Sequence, residues 1–238
     1  MATAKRNAGR RPVRTKSKAP LAQLQAIAPH RYRPYHVGGE VTFLLTTAVI
    51  GLIFLLLPLP VLIRLLGSVL LLLVLPVTVL RDAWPALKLE HLGWQPPERP
   101  RQPAFFGAAV IIMACLPLIL FLSVKQPDQY VAVAPQLPWS SWFLGQGAVA
   151  IIILAQAAFF TGLLLFRLTH LLKPWAAVLL VGLILAAGQL AVPGSIRYFA
   201  APLTVLLAWM AWQTRSFVPV AATQILLTVI FDLIVRFT

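Results

Sequence analysis

From residue 41 onward the chain alternates between long apolar runs and short polar segments bearing proline or charge. Runs without a polar stripe predict helices enclosed by apolar surroundings, not the two-faced helices of a water-soluble domain. The run 41–80 is twice as long as one bilayer crossing, which needs about 20 residues. Pro58-Leu59-Pro60 divides it, because proline cannot continue a helical hydrogen-bond ladder. The pattern predicts seven helices, at about 41–57, 61–80, 105–124, 143–166, 175–192, 199–213 and 217–235. Segments 81–104 and 125–142 read as loops, the second ending in Trp139 and Trp142, which suit an interfacial belt. The last two helices are short and flank Thr214-Arg215-Ser216, so fraying or re-entry is an open alternative to full spanning. The expected fold class is an all-α polytopic transmembrane bundle over 41–238, preceded by a largely disordered tail over 1–40.

Composition points the same way. Apolar residues make up 60% and charged residues 11%, with a mean hydropathy of +0.86, against roughly 45–50% and 25% in soluble domains. A soluble enzyme, a disordered chain and a disulfide-stapled secreted module are thereby excluded. Cys115, the single thiol, offers neither a disulfide nor a cysteine metal site.

The net charge of +14 is unevenly placed. Lys5, Arg6, Arg10, Arg11, Arg14, Lys16, Lys18, Arg31 and Arg33 all precede the first apolar run, with no acid before Glu40. Such a tail suits anionic lipid headgroups or a docking partner. Nucleic acid is not expected, because Tyr32 and Tyr35 are the tail's only aromatics. Arg10-Arg11 lies too far from an apolar run for a twin-arginine signal, while 1–39 loosely matches a transit peptide in composition. With the amino terminus cytosolic and seven spans, 16 of the 20 basic residues fall on the inner side; Arg64, Lys125, Arg197 and Arg236 fall outside. That asymmetry follows the positive-inside rule and places the carboxyl terminus outside. A bacterial cytoplasmic membrane or a thylakoid is the expected location.

Ionisable groups within a span are costly and are functional candidates by default. Asp232 is the one acid expected in the apolar layer, where an i,i+4 pair with Arg236 is its simplest role. Four histidines and six acids, mostly in loops, supply no cluster for a catalytic metal, so no cofactor is expected. The spans instead hold neutral polar residues: Gln146, Gln156, Thr161, Gln189, Thr223, Gln224 and Thr228. These suit interhelical hydrogen bonds, and Ala148, Ala155, Ala158 and Gly162, with Gly182/Ala186 and Ala187/Ala191, suit close helix packing.

Gln156-Ala157-Ala158-Phe159-Phe160-Thr161-Gly162-Leu163-Leu164 resembles a segment of the CAAX-protease and bacteriocin-processing (CPBP, or Abi) intramembrane proteins. There a Glu-Glu-x-x-x-Arg motif commonly continues into Gly-Leu-Leu; here Gln156, Ala157 and Thr161 replace the two glutamates and the arginine. Gln213-Thr214-Arg215-Ser216-Phe217-Val218-Pro219 is similar to the family's turn before a His-x-x-x-Asn motif, whose positions Gln224 and Thr228 fill. The middle Phe-x-x-x-His motif maps to Phe199 through Leu203, again without histidine. Glu90-His91-Leu92-Gly93-Trp94 resembles a Leu-Gly-Leu loop of many members. The resemblance covers roughly 41–236 and implies an all-helical bundle whose metal- and water-activating side chains are gone. It also raises the expectation of a Gln156–Gln224 contact across the bundle.

The expected function is therefore a non-catalytic pseudoprotease: a scaffold, assembly factor or stabilising partner of another membrane component, with no substrate. Two alternatives stand beside it. One is an active intramembrane metalloprotease using displaced residues such as His170 and Asp232. The other is a small transporter, for which repeats, broken helices or intramembrane charges would be wanted, and only Pro117, Pro202 and Pro219 offer modest breaks.

Overall fold

A computed structural model describes residues 35–57, 59–83, 90, 93–94, 107–112, 115–117, 121, 132–188 and 196–237. Every regular element among them is helical. In chain order these are α1 (Tyr35–Leu56), α2 (Val61–Gly67, Ser68–Val74 and Leu75–Ala83), α3 (residues 107–112 and 115–117), α4 (Trp139–Ala157, Ala158–Leu164 and Leu165–Leu171), α5 (Pro174–Gly188), α6 (Ile196–Thr214) and α7 (Val218–Phe237). The chain divides into two units, 1–42 and 43–238. The described part of the first is the opening of α1.

Three helices are long and apolar enough to cross a membrane: Val61–Arg81, Trp139–Leu171 and Val218–Phe237. The chain is a helical membrane protein. At about 1.5 Å per residue the 33 residues of α4 reach roughly 50 Å, well beyond the ~30 Å hydrocarbon layer. α4 is also the most enclosed of the three, with 61% of its most apolar eighteen residues buried against 17% in α2. Helices α2, α5, α6 and α7 all pack on it.

The elements run past the apolar edges that the pattern marks. α1 starts at Tyr35, not 41, so the end of the basic segment is helical. Trp139 and Trp142 lie in the first turn of α4, not in the preceding loop, and α4 continues to Leu171. Pro202 lies inside α6 without ending it, and Pro219 sits in the first turn of α7, where its missing N–H costs nothing. Between α1 and α2, the Leu57 carbonyl accepts both the Leu59 N–H at 2.8 Å and the Arg64 guanidinium at 3.1 Å, which ties the turn to α2.

Two stretches, Ser68–Val74 and Ala158–Leu164, wind as π-helix inside α2 and α4 and pack against each other. All seven residues of the second are buried, and Phe159 and Phe160 meet edge to face at 5.0 Å. Widening of the ladder leaves carbonyls badly aligned; the Thr161 hydroxyl donates to the Ala157 carbonyl at 2.8 Å. α5 and α6 cross at Gly182, whose carbonyl accepts from the Thr204 hydroxyl at 2.9 Å. A methyl group on Gly182 would lie 2.8 Å from the Val205 Cα, a backbone atom that cannot rotate away. Alanine favours a helix over glycine by about 1 kcal/mol, but overpacking costs about 1–3 kcal/mol. Gly182→Ala is therefore expected to lower stability by up to about 2 kcal/mol in detergent unfolding, and an unchanged midpoint would show that the crossing is loose.

Candidate functional site

Asp232 lies four turns into α7, 0% exposed. Its Oδ1 accepts the Ala132 N–H at 2.9 Å; its Oδ2 accepts the Val133 N–H at 3.0 Å and the Gln146 Nε2–H from α4. One turn further on, Arg236 donates through Nη1 to the Pro135 carbonyl at 2.6 Å and through Nη2 to the Leu137 carbonyl at 2.9 Å. Its guanidinium lies 3.9 Å from the centre of the Trp139 ring and 5.7 Å from that of Trp142.

The chemistry of this arrangement follows from where it sits. Residues 132–138 carry non-helical backbone into contact with two helices long enough to cross a membrane. Main-chain polar groups shielded from water persist only where protein satisfies them. The acid, which only accepts when ionised, takes the N–H groups; the guanidinium, which only donates, takes the carbonyls. Pro135 and Pro138 have no N–H to satisfy. Asp232 and Arg236 thus form no ion pair with each other, contrary to the i,i+4 expectation: each holds one end of the same loop. Two polar atoms in this region, Gln146 Oε1 and Trp142 Nε1, are buried without a hydrogen-bond partner.

The motif-like positions do different work. Ala157 is 3% exposed and fills core space, and Thr161 is spent on its own helix. Gln156 and Gln224 are half-buried, and Thr228 donates to the Gln224 carbonyl at 2.9 Å. No hydrogen bond joins Gln156 to Gln224, so the expected contact across the bundle is not made. Two other segments do meet: the Phe217 N–H points at the Gly93 carbonyl (3.4 Å), and the Trp94 and Phe217 rings meet edge to face at 5.5 Å. Gly93 has φ +74°, and a side chain there would strike the Phe166 ring, so glycine is required on both counts.

His170 and Asp232 do not form a pair. Asp232 binds Gln146 near the start of α4, whereas His170 is exposed at its end, 24 residues on, about 36 Å along the helix. Among the described residues, no three His, Cys, Asp or Glu side chains gather as a metal site. Gln189 and the nine basic tail residues, Lys5 to Arg33, lie outside the described residues. The sequence pattern marks 125–142 as a loop but not its anchoring by Asp232 and Arg236; an acid and an arginine one turn apart on one face, with a Pro-x-x-Pro segment elsewhere in the chain, were the available signal.

Compared with known proteins, the chain matches no family model, no curated protein and no solved structure.

Proposed function

We propose that the chain is a non-catalytic, multi-pass membrane protein of CPBP-like build, a pseudoprotease that serves as scaffold, assembly factor or stabilising partner for another membrane component. The observation that carries this reading is the use made of Asp232: the charged side chain buried among the described residues is wholly engaged in holding a loop. The packing of Ala157, Phe159, Phe160 and Thr161 supports it, since the segment resembling the catalytic motif forms core instead of lining a cavity. In this reading the seven helices α1–α7 all cross the membrane, with a cytosolic amino terminus. The basic residues before α1 dock on anionic headgroups or on the partner, in a bacterial cytoplasmic or thylakoid membrane.

The test is purification from native membranes in mild detergent. A stoichiometric companion is expected, and deleting residues 2–34, which stops short of α1, should weaken association about tenfold or more, less at high salt. Metal-dependent peptide cleavage by the purified protein would overturn the reading.

A further inference from the structure

Between α5 and α6 lies an open groove of about 450 Å³. Trp175, Val178 and Leu179 line one wall, and Leu206, Trp209 and Trp212 the other. It opens from the Gly182 crossing, where Val205 both touches the glycine and lines the groove, and runs toward the start of α5 and the end of α6. Val178 is its floor at 5% exposure, while Trp175 at its mouth is 63% exposed. Its lining is almost entirely carbon.

The groove is too narrow for a helix. One 5.4 Å turn of a cylinder about 10–12 Å across would already fill it, whereas its volume falls within the roughly 300–1,000 Å³ of small-molecule sites. An extended hydrocarbon chain is apolar throughout and slender enough to lie along it. Basic residues flank this end of the two helices. Lys173 immediately precedes α5 and is exposed, and its carbonyl accepts the N–H groups of Ala176 and Ala177 at 2.9 and 3.1 Å, which holds its backbone at the start of the helix. Arg215 follows α6 at the same end, and the tryptophans at this end suit the level of the headgroups.

We infer that this groove is a binding site for one anionic glycerophospholipid, with an acyl chain lying between α5 and α6 and the headgroup phosphate at Lys173. The inference rests on the membrane location of the chain but not on the scaffold role. A bound lipid of this kind would seal the wedge that the close crossing at Gly182 leaves beside it.

The test uses the full chain alone in nanodiscs, so that no partner is present. Phosphatidylglycerol carrying brominated acyl chains is compared with brominated phosphatidylcholine, because bromine quenches tryptophan fluorescence on contact. The parent is expected to be quenched at lower phosphatidylglycerol than phosphatidylcholine content. Val178→Phe, which fills the floor, should abolish the difference. Lys173→Gln should cut the preference for phosphatidylglycerol about fivefold while leaving quenching by saturating lipid in place. Unchanged melting of both variants in detergent would exclude misfolding as the cause, and a variant that melts early is replaced by Leu206→Phe at the opposite wall. Equal quenching by the two lipids, or a preference that survives filling of the groove, overturns the inference. So does a cross-link from position 179 or 206 to a partner protein in native membranes. Loss of a co-purifying companion on tail deletion, with lipid selectivity intact, would bear on the scaffold role alone.

Discussion

Asp232→Ala is expected to destabilise the bundle by about 3–5 kcal/mol, toward the low end of the sum for three donors that lose their acceptor at about 1–3 kcal/mol each. The substitution leaves two adjacent backbone N–H groups and the Gln146 amide facing no acceptor. Each unsatisfied buried donor costs about 1–3 kcal/mol. Asp232→Asn separates charge from shape. Both carboxylate oxygens accept from donors, so either orientation of an asparagine amide points its own N–H groups at another donor. A loss of about 1–3 kcal/mol is expected from it, partly recovered in the Asp232→Asn, Gln146→Leu double variant, which removes the third donor. Arg236→Lys should open the other end of the loop, because an ammonium reproduces neither the forked contact with two carbonyls nor the stacking on Trp139. Unfolding in detergent gives the energies, and proteolysis within 132–138 reports whether the loop has come free. Stability within about 1 kcal/mol of the parent for Asp232→Ala would show that the loop stands without it.

How far this was readable beforehand depends on the range of each interaction. Helix centres are local: an apolar run broken by Pro58 and Pro60, or by Thr214-Arg215-Ser216, marks them directly, and the helices fall where those breaks predict. Helix ends are less so, because the residues that extend α1 back to Tyr35 and α4 from Trp139 to Leu171 include aromatic, charged and small polar side chains that still complete helical hydrogen bonds. Such side chains belong at a membrane–water boundary, where the apolar signal stops before the helix does. The π segments carry no sequence mark, since Ser68–Val74 reads like any other leucine-rich turn and only the neighbours around it favour the wider winding. For Asp232 the sequence shows that an acid in an apolar helix must have partners, but not that they lie about 100 residues away. The helical periodicity that sets Asp232 and Arg236 on one face suggested that they bind each other. A loop rich in unpaired backbone groups competes for both and wins, because it needs both an acceptor and a donor.

Placing glutamates at positions 156 and 157 of the motif-like segment carries the other large expected effect. Ala157 is buried near the middle of α4, directly before the π segment whose seven residues are all enclosed. Ala157→Glu must place a longer side chain where a methyl group already fits and a carboxylate far from the helix ends. Overpacking costs about 1–3 kcal/mol and an acid at bilayer depth about 2.5–3.5 kcal/mol, so a loss of about 3.5–6.5 kcal/mol is expected. Ala157→Gln has the same length without the charge and should lose only the packing part. Gln156→Glu, at a half-buried position, changes no volume and adds only the charge, so it should cost less than Ala157→Glu. The paired Gln156→Glu, Ala157→Glu variant then discriminates between two histories of the segment. If it is core, the pair fails as Ala157→Glu does, and neither unfolding in detergent nor metal analysis shows a gain. If the segment is a vacated site that still has room for its acids, the pair is tolerated better than the single substitution and binds zinc. That second result would remove the packing argument on which the non-catalytic reading leans, because side chains that merely fill an empty site can be exchanged for the originals, whereas side chains that hold four neighbouring helices together cannot.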